Sequence, residues 1–565
     1  MSKAFLPTQK EIPADATIPS HQLMLRTGMI RLLASGVYSY LPLGWKVMKK
    51  VIEIIREEMD RIGAQELMLP ILNPIDIWDE TGRNTDFGDE MFRLHDRKKR
   101  LLVLAPTHEE VICDLARKFI HSYKDMPQIW YQIQTKFRDE PRPRSGIIRA
   151  RQFIMKDSYS MDVDDDHLEK SYQLHAEAYQ NIFHRCGLQF HIVSASSGLM
   201  GGSGSQEFMI ESEYGEDTLV ICTRCNYAAN QEVAISDSIK VKSKLDSLQR
   251  IHTPGKRTIE EVGHFLGINP NQLMKSLIYI CDNKPVMVLI RGDHELNESK
   301  LLSYLGHPIY SAHPDEIQEI FKTEIGFVGP INLKSSIRTL ADLSLKNQHN
   351  LISGANEKDF HLSGIELNRD VNQKIEYTDL KMVCSGDKCK TCEGDLKIVK
   401  SIELGHIFKL GIKYSRSMNA FFVDKEGQDR PIVMGSYGIG VERIIAAAIM
   451  QNFDDKGIIW NKVLAPYLVH IIPINVDNSD VLQISNKLYN ELKNHFFDTI
   501  IDDRNVTPGY KFKDADLLGI PIQIIVGEKW LENRQIEIKI RKSNERLFVH
   551  ENSVINTIQS ILESL

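Results

Sequence analysis

The sequence predicts an α+β chain of several domains, on three observations. Residues 129–140 alternate strictly. Ile129, Tyr131, Ile133, Thr135 and Phe137 fall on one side, and Gln132, Gln134, Lys136, Arg138 and Glu140 on the other, the period of a strand. Between about 230 and 400 the chain changes character, and from about 466 apolar strands alternate with helical segments. A length of 565 residues leaves room for three or four domains of roughly 100–200 residues each.

Taken in order, residues 45–62 place Met48, Val51, Ile52, Ile55, Met59 and Ile62 at helical spacing, and Gly63 ends the helix. A strand over 66–69 then runs into Pro70. The polar side of 129–140 ends in an arginine and a glutamate beside a Pro/Arg/Ser/Gly loop, which predicts the floor of a pocket rather than a solvated face. Thr258-Ile259-Glu260-Glu261 reads as a capping box, followed by strands over 273–280 and 285–290. The last hundred residues predict strands at 468–474, 499–502 and 522–526, with a helix at about 481–495 and another before the final strand.

Composition narrows the function. With 42% hydrophobic and 26% charged residues this is an ordinary globular chain. No run approaches the roughly 18 apolar residues of a membrane span, and the first residues lack the apolar centre of a signal peptide. The expected location is the cytoplasm, with no membrane partner. A net charge of −7 excludes a globally basic nucleic-acid binder, so any RNA contact rests on local patches. Eight cysteines in so long a chain make no disulfide scaffold.

Chemistry concentrates in two segments. The first is Phe137-Arg138-Asp139-Glu140, a loop, then Arg149-Ala150-Arg151-Gln152-Phe153. The second is Gly435-Ser436-Tyr437-Gly438-Ile439-Gly440-Val441-Glu442-Arg443. Arginines suit phosphate and carboxylate oxygens because a guanidinium stays charged and forks onto two acceptors. Glycines admit close backbone approach, and an aromatic ring stacks on a base. In this order the two segments resemble motifs 2 and 3 of the class II aminoacyl-tRNA synthetases, and residues 45–70 resemble motif 1, which in that family builds a homodimer interface; a surface helix beside a core strand describes residues 45–70 equally well.

The resemblance extends over essentially the whole chain to the bacterial-type prolyl-tRNA synthetases. It is carried by Thr107-His108-Glu109-Glu110, Met155-Lys156-Asp157-Ser158-Tyr159-Ser160, Gly405-His406-Ile407-Phe408-Lys409-Leu410-Gly411, Val433-Met434-Gly435-Ser436-Tyr437-Gly438 and Asp502-Asp503-Arg504 with Pro508-Gly509. It implies a class II antiparallel-sheet catalytic domain, an inserted α/β editing domain and a C-terminal α/β anticodon-binding domain. The expected boundaries are 1–229 and 399–465 for the catalytic domain, 230–398 for the insertion and 466–565 for the last domain. The implied reaction is activation of L-proline by ATP with Mg²⁺, then transfer to tRNA(Pro), with hydrolysis of mischarged alanyl-tRNA. A threonyl-type class II enzyme, a non-catalytic tRNA-binding paralogue and a deacylase paralogue are the alternatives.

By this resemblance ATP meets Arg138, Glu140, Arg149, Phe153, Gly438, Gly440 and Arg443, with Arg138, Glu140 and Arg443 catalytic. Proline meets Thr107, Glu109, Arg138, His406 and Ser436. Thr107 and Glu109 offer two acceptors to a secondary ammonium, which has two N–H donors; Glu109 also suits a helix N-terminus. Glu207, behind a Gly-rich turn, holds Mg²⁺ or a substrate group, or is an ordinary strand glutamate. Lys275, Asp342, Gly354 and His361 match the editing site. Arg504, Lys511 and Lys513 form the basic patch expected to meet the anticodon. Gln152 and Ser436 depart from the family's usual Glu and Cys. Cys222-Thr223-Arg224-Cys225 and Cys389-Lys390-Thr391-Cys392 are two knuckles at metal-binding spacing flanking the insertion, and Cys222, Cys225, Cys389 and Cys392 together would make a structural Zn²⁺ site or remain reduced thiols.

Overall fold

The computed structural model describes residues 1–196, 198–202, 204–237, 246–333 and 337–564. The chain forms two compact units. The first comprises Met1–Ile192, Ser197–Glu216 and Ser401–Leu565, the second Val193–Ser196 and Asp217–Lys400.

In the first unit a sheet runs through strands Gly204–Glu211, Leu396–Gly411, Val433–Gly440, Gln152–Asp162 and Gln128–Phe137, each antiparallel to the next. A two-residue strand, Gln65–Glu66, closes the edge in parallel. It is shorter than the expected 66–69 because the Leu69 amide donates to the Gln132 side chain at 3.1 Å instead of a strand carbonyl. The long strand likewise ends at Phe137, before Arg138 and Glu140. Beyond it the Asp139 amide turns to the Glu90 carbonyl at 2.8 Å.

Strand alternation gives this sheet two unlike faces. Tyr131, Ile133, Ile154, Tyr437, Ile439, Ile407 and Phe208 pack with helices Pro42–Arg61, Asp165–Arg185 and Val441–Gln451 into one apolar core. The helix Pro42–Arg61 contains most of the predicted 45–62 span and buries Val47, Met48, Val51, Ile55 and Met59. Helices therefore cover that face, where Lys156 and Ser158 also turn inward to Tyr179 and His175, and the other face carries Gln132, Asp157, His406 and Glu207.

The C-terminal part of this unit is a five-stranded sheet ordered Thr499–Ile501, Val469–Pro473, Ile522–Val526, Gln535–Ile540 and Arg546–His550. The first three strands are parallel and the last two antiparallel to their neighbours. Helices Ser479–Asn494, Pro508–Leu518 and Val554–Ser564 accompany it.

The second unit holds a five-stranded sheet ordered Ile309–Ser311, Met274–Cys281, Lys284–Arg291, Arg338–Asp342 and Ile375–Thr378, and a three-stranded sheet of Gln249–His252, Phe360–Ile365 and Leu351–Gly354. Helix Ile259–Leu266 starts at the expected box: Glu261 N–H donates to Thr258 Oγ1 at 3.2 Å, and Thr258 N–H to Glu261 Oε2 at 3.1 Å. This unit takes in both cysteine knuckles and spans the expected insertion together with residues 217–229 and 399–400.

Candidate active site

The polar face of the first sheet is assembled row by row. Glu207 pairs with His406, His406 with Gly438, Gly438 with Asp157 and Asp157 with Gln132, so one row crosses five strands. Period two then brings Ser436, Gly440, Phe153, Tyr159 and Lys136 to the same face. The sequence-predicted residues from the three separate segments thus converge because their registers agree. A Cβ on Gly438 would meet only Met155 Sδ at 3.6 Å, so protein packing leaves this point of the face open. Gly435, one residue before Ser436, is different: its Cβ would lie 2.1 Å from the Tyr437 hydroxyl.

The floor is charged and internally paired. Buried Lys136 Nζ sits 2.7 Å from Asp157 Oδ1, while Asp157 Oδ2 accepts from Gln132 and Tyr159. Lys136 Nζ also lies 2.9 Å from His108 Nδ1, and His108 Nε2 3.1 Å from the Pro70 carbonyl. Burial, with Lys136 adding to it, pulls the His108 pKa down to about 4, so its ring is neutral.

Glu109 opens the helix Glu109–Phe119 and is buried. Its Oε2 accepts from Thr107 Oγ1 at 2.6 Å and Arg83 Nη1 at 3.0 Å, and its Oε1 from Ser436 Oγ at 2.8 Å. Burial alone would raise the Glu109 carboxyl, but Arg83 and the two hydroxyls hold it below the ordinary value. Arg83, which carries no sequence motif of its own, is completely buried against Trp78, Phe87 and Tyr414.

Three arginines serve this face differently. Arg149 is tied to Glu140 at 2.7 Å and to Glu216. Arg443 is held by Glu403 at 2.8 Å and by the Ile148 carbonyl at 3.1 Å. Arg138 has no ion pair among the described residues; it reaches the Pro106 carbonyl at 3.5 Å, and its buried Nε has no hydrogen-bond partner there. Burial and the nearby Arg443 lower its pKa from the usual arginine value. Its guanidinium lies 5.4 Å from the Phe153 ring centroid. The His406 ring stacks on Phe408 with centroids 3.8 Å apart, and its Nδ1 lies 3.4 Å from Glu207 and 3.6 Å from Glu403. Two carboxylates therefore flank the His406 ring nitrogen, and one of them, Glu403, is shared with Arg443. Glu403 and Glu216 escaped the sequence reading because neither lies in a motif segment. Gln152 is exposed at the strand start, away from this chemistry.

A second cavity of about 340 Å³ lies in the second unit, between the start of helix Ile259–Leu266 and strands Met274–Cys281 and Leu351–Gly354. Lys275, Gly354 and His361 line it together with Ser276, Ser353 and apolar side chains. Lys275 Nζ donates to the His294 carbonyl at 2.7 Å and meets Glu295 at 2.6 Å. His361 Nδ1 is 2.7 Å from Thr253 Oγ1, and burial brings its pKa down to about 4. A Cβ on Gly354 would strike the Phe327 backbone at 2.2 Å. Asp342, expected with these residues, does not line the cavity. Its carboxylate accepts the amides of Ser344, Leu380 and Lys381 at 2.8–3.0 Å and thereby ties its own turn to the 380–381 segment.

The sulfurs of Cys222, Cys225, Cys389 and Cys392 all lie within 4.8 Å of one another, with Cys222 to Cys392 at 3.4 Å and Cys225 to Cys389 at 3.8 Å. Thiolates at about 2.3 Å around a tetrahedral Zn²⁺ stand roughly 3.8 Å apart, so the set fits that ion. Gly394 leaves the needed room, since its Cβ would come within 3.1 Å of Cys222 Sγ and 3.3 Å of Cys392 Sγ.

The expected basic patch is largely spent inside the protein. Lys511 is buried and donates to the carbonyls of Pro473 and Asp502 at 2.8 and 3.0 Å, because helix Pro508–Leu518 turns this side chain onto the sheet. It therefore cannot meet RNA. Arg504 is paired with Asp502 at 2.7 Å and Asp514 at 2.9 Å. Lys513 remains exposed, as does Tyr510.

Comparison with known proteins agrees with this geometry. Residues 92–452 match the tRNA synthetase class II core domain (G, H, P, S and T), and residues 468–561 match the anticodon binding domain. The chain is 47% identical to a proline–tRNA ligase of Thermodesulfovibrio yellowstonii over 572 residues, covering 100% of this chain and 99% of the relative. It is 47% identical to that of Syntrophus aciditrophicus over 567 residues, covering 100% and 98%. Among solved structures it resembles a prolyl-tRNA synthetase from Cryptosporidium parvum complexed with L-proline and AMP, with a TM-score of 0.59 at 14% identity over 98% of this chain and 77% of that one.

Proposed function

The chain belongs to the proline–tRNA ligases, class II aminoacyl-tRNA synthetases, and we propose how its residues divide the work of that reaction. The observation that carries the assignment is Arg138, a guanidinium 5.4 Å from the Phe153 ring that has no carboxylate partner among the described residues. Arg138 receives the substrate carboxylate and the α-phosphate that it attacks. Preorganised charge of this kind lowers the barrier because negative charge grows on the phosphoryl oxygens. Arg149 holds the terminal phosphates of ATP, Phe153 stacks on adenine, Gly438 and Gly440 admit the nucleotide, and Arg443 faces it from the motif 3 helix. Glu140 orients Arg149 and accepts from the adenine amino group. Glu207 and Glu403 are the carboxylates that would hold Mg²⁺, which supplies charge neutralisation between phosphates.

The amine subsite follows from lone pairs. Each carboxylate oxygen has two. Oε2 of Glu109 accepts from Thr107 and Arg83, and Oε1 from Ser436, so the Oε1 side faces the substrate amine in this reading. Thr107, having donated its proton to Glu109, keeps acceptor capacity. Two acceptors therefore face the two N–H groups of a secondary ammonium, with His406 beside the ring. The prolyl group then passes to the terminal ribose of tRNA(Pro).

The second cavity serves as the editing site for alanyl-tRNA. Alanine is smaller than proline and enters the first site; a missing methylene is worth only about 1–3 kcal/mol of discrimination. Lys275 lies at the cavity wall for the terminal adenosine, while the Gly354 backbone and neutral His361 face the ester. Residues 1–229 and 399–465 form the catalytic domain, 230–398 the editing domain and 466–565 the anticodon-binding domain, where Lys513 and Tyr510 are the exposed candidates for RNA contact. The four cysteines hold one structural Zn²⁺. We assign the enzyme to the cytoplasm as a homodimer through residues 45–70.

The test is amino-acid-dependent ATP–pyrophosphate exchange with all twenty amino acids. Strong exchange with proline and weak exchange with alanine support the reading. Equal exchange with threonine, or none with proline in folded protein, overturns it.

A further inference from the structure

Beneath the amine subsite lies a charge arrangement that the reaction as described does not use. Arg83 and Glu110 are both 0% exposed and Glu109 is 1% exposed. One nitrogen, Arg83 Nη1, stands 3.0 Å from Glu109 Oε2 and 3.0 Å from each oxygen of Glu110. Glu110 Oε1 further accepts from Thr81 Oγ1 at 2.9 Å. Helical geometry explains the crowding: Glu109 and Glu110 open the same helix, and only a cation between them lets both be buried. Burial and the neighbouring Glu109 raise the Glu110 carboxyl while Arg83 opposes them; with both carboxylates ionised the group holds a single negative charge in a desolvated place. The neighbouring Lys136 is spent on Asp157, and Lys413, whose field also reaches the pair, is exposed to solvent.

We infer that Glu110 is a positioning residue for amine recognition: it takes up the charge of Arg83, so that Glu109 keeps a whole negative charge for the substrate ammonium. Without Glu110, Arg83 would neutralise Glu109 itself, and a buried ammonium would meet a neutral pair. The surplus also has its counterpart in Arg138, the unmatched cation on the same face. The subsite is thus flanked by a surplus carboxylate charge and by an unmatched guanidinium, the pattern of a zwitterionic amino acid. This inference rests on the reading of Glu109 as the amine acceptor.

The experiment is proline-dependent pyrophosphate exchange by the full chain carrying E110Q, E110D, E109Q or the pair R83M/E110Q. E110Q is expected to raise KM for proline at least tenfold while kcat and KM for ATP stay within about twofold. E110D, which keeps the charge, is expected to stay within about threefold of the parent KM. Removing both charges in R83M/E110Q is expected to recover part of the loss, so that the two changes are not additive. An E110Q enzyme with unchanged KM for proline, alongside a defective E109Q, overturns the inference alone. E110D failing as badly as E110Q, or R83M/E110Q falling below E110Q, also overturns it, since both mark a merely structural contact. An unchanged E109Q overturns the site reading beneath it.

Discussion

The polar face of the first sheet and the cavity of the second unit are both built on strands, yet their electrostatics differ. The one on the first sheet is built of ions: Lys136 with Asp157, Arg83 between Glu109 and Glu110, Arg149 with Glu140, and Arg138 left unmatched. The one in the second unit has an apolar floor with a neutral His361, and its charged wall residues Arg257 and Lys275 are each already paired with a glutamate, Glu260 standing at the helix start. The difference is the one the proposed division of chemistry requires. Joining a carboxylate to a phosphate brings two anions together, and only fixed cations make that tolerable. Hydrolysing an ester needs positioned water and a limit on size.

The sharpest way to break this contrast is to remove the unmatched cation. Arg138→Ala should lower proline-dependent exchange by about 10²–10³-fold, the usual worth of one preorganised donor. A loss under tenfold would mean that charge is not what the first cavity supplies.

Next in size is the four-cysteine cluster of the second unit, proposed to hold zinc. Elemental analysis should find one zinc per chain, and a Cys392→Ser variant should melt roughly 10 °C lower in that unit. Zinc-free protein with unaltered melting would leave the sulfurs as four reduced thiols.

Smaller effects come from acid. His108 and His470 in the first unit and His294 and His361 in the second are each brought down to about 4, mainly by burial. Their unfolded forms take up protons near 6.5 while the folded forms refuse them. The stability they give is therefore complete above about pH 6.5 and is lost as the pH falls through about 4. Urea unfolding at pH 5 should show each histidine costing about 2 kcal/mol relative to pH 7.5. His361→Asn should remove one such share in the second unit, and unchanged acid sensitivity would contradict this. Smallest is Lys513→Ala, expected to weaken tRNA binding a few-fold and to reduce its salt dependence by about one counterion.

What the sequence disclosed differs along the same line. Strands with strict alternation, the capping box at Thr258 and the converging motif residues were legible because each is a local pattern with a fixed period. Asp342 and Lys511 were misplaced because a side chain's use depends on distant backbone. Asp342 is claimed by the amides of Leu380 and Lys381, and Lys511 by the carbonyls of Pro473 and Asp502. Arg83 was missed for the opposite reason. It lies in a short helix with no motif, and only the fold carries it to Glu109, 26 positions away.

The separation of the two cavities is tested most directly by measuring proline-dependent exchange and alanyl-tRNA hydrolysis in parallel on Arg138→Ala and Lys275→Ala. The account predicts a crossed result. Arg138→Ala loses exchange and keeps hydrolysis, while Lys275→Ala keeps exchange and loses at least tenfold in hydrolysis. If either substitution abolishes both activities in folded protein, or if Lys275→Ala leaves hydrolysis intact, the division of chemistry between a charged cavity and a neutral one is wrong.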